Sequence, residues 1–477
     1  MRIYILAVLI ACAGACEAQI DWPSFGGDSQ RSGWEKSDTR ITRENVKDFE
    51  LVLKRKFVYP RAGPHSLTPP VVVGLLISYR GFKELAFVED ASGTLWSVDA
   101  DLNRVFWKRS LGPGGSSCGV GIASMPALVP PVMFGKRAPG GKRRPAIPGN
   151  GFGEVRPVFA VSNDGKLHKL NTSDGTDLSA PLDFLPANVK SSPLTIHDGT
   201  IYASSAVSCG GVSGIWAIDL TVPDPHVVSF TWKGPSATGL GGPAFGNDGT
   251  VYLATGPNTI QSLTPNDLQP KERITLPGSA SRKAAAGLNA TTPVVVDLNG
   301  QEFIVSSSSD GRLFLMDGKS TVSETLPLST PGGGIWGGLS SWKDTAGKSW
   351  VFAPVWGGLN SDLKSGKSNG TVTNGAIVAF TVEEENGKPA LTPSWVSRDM
   401  RSPVPPVITS GAVFALATGA PTATLYGLDA QTGEELYSSG KQITAPGELT
   451  GLSVSNGRVY FTTTDGTLYA FGVHLEI

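Results

Sequence analysis

Hydrophobic and polar positions alternate along most of this chain in short runs bounded by glycine and aspartate, and one run is the template for the others. In SGTLWSVDADLNRVFWKRSL, residues 92–111, Ser92-Gly93 makes a tight turn, and glycine takes the positive φ that a two-residue hairpin needs. Residues 94–98 then alternate for two faces, with Trp96 and Val98 β-favouring. Asp99 ends that strand, Asp101-Leu102-Asn103 turns the chain, and residues 104–111 predict an outer strand carrying Phe106 and Trp107. One such unit cannot bury both of its faces, so it requires neighbours.

The same signature returns as DGKLHKLN ending at Asn171, SGIWAID at Asp219, DGRLFLMD at Asp317, NGAIVAFT at Thr381, ATLYGLD at Asp429 and DGTLYAFG at Gly472. A weaker copy, NTIQSLT, ends at Thr264. A recurrence close to the length of a four-stranded unit, with insertions in the two long intervals, predicts an all-β propeller of four-stranded antiparallel blades. Eight units are counted, or seven if the copy at Thr264 is spurious. The last unit has residues 450–455, 458–464 and 467–472 and then lacks room for an outer strand. FELVLKRKF, residues 49–57, has the length to supply it, which closes the ring and removes an open edge. The expected division is a signal peptide at 1–18, an N-terminal arm at 19–48 opening with DWPSF and containing a helical turn near 41–48, and one propeller domain at 49–477. Trp107, Trp232 and Trp395 fall at matching outer-strand positions, where an aromatic packs between adjacent blades.

Composition adds little to that picture and excludes some functions. Forty basic residues against 41 acidic ones give no global attraction to nucleic acid. Fifty-nine glycines and 35 prolines suit a chain that turns every eight to twelve residues. Arg2, the apolar run 3–11 and Cys16-Glu17-Ala18 have the form of an export signal, and the run is too short for a permanent membrane span. Ala13-Gly14-Ala15-Cys16 also resembles a bacterial lipobox, which would make Cys16 lipid-bearing and give peripheral membrane association. Periplasm or outer membrane, or secretion, is therefore the expected location. Cys118 and Cys209 remain in the mature chain; both loops lie on one propeller face, so a disulfide and two free thiols stay open as readings. The basic insertion KRAPGGKRR at 136–144 reads as a solvated loop, with a polyanion or lipid headgroup as the alternative, and the polar run 357–374 as a long loop of the kind that carries binding elements.

The opening DWPSFGGDSQRSGW, the following ITRENVKDFELVLKRKF and repeats such as ATLYGLDAQTGEELY resemble the quinoprotein alcohol dehydrogenase-like propellers, the pyrroloquinoline quinone (PQQ) repeat superfamily. The resemblance covers nearly the whole mature chain. It implies eight blades with the cofactor, when present, on the axis; the superfamily also contains non-catalytic members such as a scaffold of outer-membrane protein assembly. In its active members a vicinal cysteine pair stacks on the quinone, a glutamate and an asparagine bind calcium, and an aspartate is the base. The matching stretches here are Ser116-Ser117-Cys118-Gly119 with one cysteine, SSAVSCGG at 204–211 with no carboxylate, Thr255-Gly256-Pro257-Asn258 shifted by one residue, and SASRKAAAGLNA at 279–290 with no acid. Calcium wants six to eight oxygens and the base an ionisable oxygen, so PQQ and calcium are weakly supported and no cofactor is expected.

Around one mouth of the axial tunnel the connecting loops carry Arg61, Lys190, Arg282, Lys283, Arg398, Arg401 and Lys441, against Asp399 and Glu448. Such a funnel would attract an anionic ligand, and chance is a competing explanation because the basic count is near the chain average. GGGIWGGLSSW, residues 332–342, places Trp336 as a flat wall at the axis or as inner-strand packing. The five histidines, His65, His168, His197, His226 and His474, show no metal-ligand spacing. The candidate binding residues are thus Cys118, Asn258, Arg282, Lys283, Trp336 and Arg401, with no catalytic or metal set. The reading is an exported propeller acting as a monomeric binding or scaffold protein, with a protein or a small anionic or carbohydrate ligand at the axial mouth. A divergent PQQ-dependent alcohol or sugar dehydrogenase is the first alternative, and a carbohydrate-binding propeller using Trp336 and Trp356 the second.

Overall fold

A computed structural model describes residues 20–58, 66–78, 81–112, 121–124, 156–187, 189–206, 211–234, 239–278 and 284–473. Cys16, Cys118, Cys209, Arg61, His65, Arg282, Lys283, His474 and the insertion at 136–144 lie outside them. The chain forms eight antiparallel blades, each built outward from an inner strand near the axis. Blade 1 runs through Val71–Ser78, Gly81–Glu89, Thr94–Asp99 and Arg104–Ser110, as the template stretch requires. The weak copy at Thr264 is a real third strand, Thr259–Leu263, between Val251–Gly256 and Pro270–Thr275, and this settles the count at eight.

The ring closes as the missing strand demanded. Glu50–Lys56 pairs antiparallel with Thr467–Gly472, from Glu50 opposite Gly472 to Lys56 opposite Thr467, with one register shift between Leu51 and Leu53. Phe49, Leu53 and Phe57 are buried there; Phe49 stacks on Phe414 of blade 7 at 5.1 Å and Phe57 meets Trp96 of blade 1 at 4.8 Å. Apolar side chains from adjacent blades interdigitate in this way around the ring.

The outer-strand tryptophans explain why one repeat is weak. Trp107 donates to the carbonyl of Thr172 and covers Gly175 in the turn of the next blade; Trp395 does the same to Ala430 over Gly433. A Cβ at either glycine would stand 2.7 or 2.3 Å from the indole, so the seat requires glycine. In blade 4 the equivalent position is Leu268, held at φ 53°, and the facing Trp232 leaves its indole N–H without a partner among the described residues.

The arm has a part that its loop-like sequence did not announce. Residues 20–35 run into the ring and touch all eight blades. Trp22 pairs with Val72 of blade 1, the Ile20 carbonyl accepts from Ser455 of blade 8, and Asp21 pairs with Arg156 at the start of a blade 2 strand. Phe245, Val295, Ser341 and Ile408, on the inner strands of blades 4 to 7, donate backbone N–H groups in turn to Ser29, Gln30, Ser32 and Gly33. Trp34–Glu35 then lies parallel to Val407–Thr409 as a short extra strand. Arg31, almost wholly buried, donates to the carbonyls of Pro243 and Phe25 and to Thr195 of blade 3. Asp38 and Arg40 bind the blade 8 turn at Gly457 and Asn456, leading the chain outward to the closing strand.

Candidate functional site

The loops that lead into the inner strands converge at the mouth opposite the turns where the arm runs. Small residues let these strands crowd the axis, and hydroxyls tie neighbours together: Ser340 donates to Pro406, Ser341 to Val295 and Ser453 to Pro70. Across this crowded ring lies Trp336. Its ring stacks on Trp356 at 4.6 Å with 14° between the planes. The Trp336 N–H donates to the Leu449 carbonyl of the blade 8 loop at 3.1 Å, and the Trp356 N–H to Pro403 of the blade 7 loop at 2.7 Å. Gly287 underlies the ring edge of Trp336, with room that a side chain would take. Both indoles are half-buried and fixed at both ends, which makes them a preformed platform.

Glu448 stands next to the residue that receives the Trp336 N–H. Burial pushes its carboxyl up to about 7, offset in part by the backbone N–H of Leu67. The folded state therefore favours the protonated form. That preference is complete below the ordinary value of 4.5 and is lost as pH rises through about 7. Glu448→Gln is accordingly expected to melt above wild type at alkaline pH and to lose that advantage in acid; thermal melts at the two extremes check it, and parallel curves would contradict it. A second buried carboxyl, Glu89 at the mouth end of its blade 1 strand, is pushed well above the usual range by burial and then by Asp90. The backbone N–H of Gly121 offsets that shift in part.

The sequence-derived residues fall out differently. Trp336 stacks on Trp356 while its partly buried ring also packs against the core shared by blades 7, 8 and 1. Asn258 is committed to the fold: its side-chain oxygen accepts from the Ser309 N–H of the next blade at 2.8 Å, and Gly278 closes over its amide. Arg401 lies over Gly419 and donates to the Ala420 carbonyl at 2.9 Å. Arg398 turns outward, pairing with Glu435 and covering the Tyr426 ring at 4.8 Å. Asp399 lies below its usual range because, against the cost of burial, Asn374 and the Thr373 N–H donate to it. Lys190 and Lys441 are exposed. Among the described residues the cations are thus tied back or turned to solvent, and the carboxyl of Glu448, next in sequence to the Leu449 that receives the Trp336 N–H, faces the Leu67 N–H. The shift of that carboxyl depends on burial, where sequence alone showed only an acid among bases.

Calcium and a quinone would need oxygen donors that this part of the site does not present. Ser204 and Ser205 occupy the end of the blade 3 strand where the resemblance places a glutamate, Ser205 donating to Val212, and the Asn258 oxygen is already used. No group of three His, Cys, Asp or Glu side chains able to hold a metal occurs among the described residues. The described donors do not fit the PQQ–calcium pair.

No protein-family model matches the sequence, and no curated protein matches it. Solved structures do resemble the fold. The quinohemoprotein alcohol dehydrogenase from Comamonas testosteroni superposes with a TM-score of 0.57 at 13% identity, over 98% of this chain and 82% of that one. A europium-containing methanol dehydrogenase gives 0.60 at 12% identity, over 95% and 98%. A computationally designed protein, Ika8, gives 0.50 at 13% identity, over 89% and 100%. The chain therefore has the propeller fold of the quinoprotein alcohol dehydrogenases. At these identities the likeness is one of fold, and chemistry has to be argued from the site.

Proposed function

We propose that this chain is an exported propeller that acts as a binding protein, with the axial mouth as its ligand-receiving face. The observation that supports the reading most is the locked Trp336–Trp356 pair, half-buried and held at both ends by the blade 7 and blade 8 loops. A flat aromatic platform suits the apolar face of a carbohydrate. It offers less to an anion, because Arg398 and Arg401 are engaged elsewhere. A protein partner presenting a glycan or a loop to the same mouth is compatible with the scaffold role. Export rests on the residues 1–18 and lipidation on Cys16; intact mass of the protein recovered from its native host would separate cleavage from lipid attachment. No helix among the described residues is long and apolar enough to cross a membrane.

The test is a glycan array with the full chain, followed by Trp336→Ala. Binding that falls at least about tenfold on losing the platform, equivalent to about 1.4 kcal/mol, is the expected result. An array without a hit, or a hit indifferent to Trp336, would count against the mouth as a carbohydrate site. The competing reading, a divergent PQQ-dependent alcohol or sugar dehydrogenase, has the fold likeness in its favour. Adding PQQ with calcium and recording absorbance and dye-linked alcohol oxidation decides it, since turnover would replace the binding reading by an enzymatic one.

A further inference from the structure

We infer that the N-terminal arm turns the axial tunnel into a blind cup, with Phe25 as the floor that sets how deep a ligand at the mouth can reach. The ring of Phe25 is inserted between two glycines on opposite sides of the propeller. A Cβ on Gly241, entering blade 4, would meet its Cδ1 at 2.6 Å, and one on Gly451, entering blade 8, would meet its Cε2 at 3.0 Å. Blades 4 and 8 face each other across an eight-membered ring, so one phenyl group spans the axis. Phe25 is 6% exposed. The loops place it directly under the platform: Leu240, one residue before Gly241, packs on Gly337, and the Leu449 carbonyl, two residues before Gly451, holds Trp336. One to two residues separate the glycines beside the phenyl from the groups that touch Gly337 and hold Trp336.

The ring is held there from beneath. Gly27 donates to the Ser24 carbonyl and Gly33 to that of Gly26, closing a tight loop whose Gly26 and Gly27 have φ of 74° and 76°. The Arg31 guanidinium takes the Phe25 carbonyl and links it to Pro243 and Thr195. Phe25 is thus fixed by the arm and seated where two blades have no side chain. A ligand on Trp336 meets an apolar wall below it, so shallow, flat ligands fit and extended chains cannot thread the ring.

The inference rests on the mouth as a binding face and deepens that reading, yet its test needs no natural ligand. In full-length protein, Gly241→Ala is expected to lower the urea midpoint in the wild-type background and to have little effect in a Phe25→Ala background, because the added methyl then has space. Indole is expected to raise the melting temperature of Phe25→Ala and to leave wild type unchanged, as it enters the space vacated by the ring. Should Phe25→Ala not fold, Phe25→Val lacks the same ring atoms and serves the cycle. A Gly241→Ala effect equal in both backgrounds, or wild type taking up indole as the variant does, would overturn the floor. Failure of glycan binding counts against the mouth as a carbohydrate site, whereas an equal Gly241→Ala effect in both backgrounds counts against the floor, so the two failures are distinguishable.

Discussion

Arg31→Ala is expected to cost about 4 kcal/mol, read as a shift of the urea midpoint without a change in slope. The guanidinium is fully buried and serves three acceptors on three parts of the molecule: the arm itself, blade 4 and blade 3. Removing it strands the carbonyls of Pro243 and Phe25 and the Thr195 hydroxyl without water, at about 1–3 kcal/mol for each buried group left unpaired. The three act as one unit, so their costs do not simply add. Burial pulls the group down to about 9, with Asp28 opposing, so it is still protonated at neutral pH. Arg31→Lys recovers only part of the loss, because an ammonium cannot reproduce a planar fork aimed at separated oxygens. A midpoint for Arg31→Ala within about 1 kcal/mol of wild type would show that the arm does not bind the ring together.

Truncating the chain to begin at Val58 is expected to abolish soluble, cooperatively folding protein. The cut removes Phe49, Leu53 and Phe57 from the core as well as the arm. Truncations of single buried side chains of that size cost about 2–5 kcal/mol each. Together that is on the order of 10 kcal/mol, comparable with the whole stability of a domain. It also leaves Thr467–Gly472 as an open edge with Leu468, Tyr469 and Phe471 beside it, a template for pairing between molecules. Sedimentation of the truncated protein and binding of a hydrophobic dye measure the outcome; a monomer with a sharp melt would contradict it. Supplying residues 20–57 in trans is expected to restore solubility.

How much of this was legible in the sequence differs from element to element. The blades were, because turn glycine, alternation and a terminal Asp or Asn are local signals repeated in register. The copy at Thr264 was faint for a physical reason: Leu268 stands where Gly175 and Gly433 stand in their blades, so the seat for a tryptophan is missing although the strands form. The closing strand could be found by counting strands at the other end of the chain. The arm could not be placed, because Ser29, Gln30, Ser32 and Gly33 bind through their backbone carbonyls to residues hundreds of positions away. Its signals were Trp22, Phe25 and Arg31, three large side chains in a run of glycine, serine and aspartate. Trp336 was legible as a wall or as inner-strand packing, and its stack on Trp356 was not. The directions of Arg398 and Arg401 were not, since charge is visible in a sequence and orientation is not.

The threading of residues 20–35 through every blade also sets an order of events as the polypeptide emerges. These residues leave the ribosome well before their partners at Ile408 and Ser455. Their contacts include spans of 164 residues, Arg31 to Thr195, and 435, Ile20 to Ser455, and such pairings are slow to form. A segment made early is therefore among the latest to settle, and until it does the tunnel has no stopper.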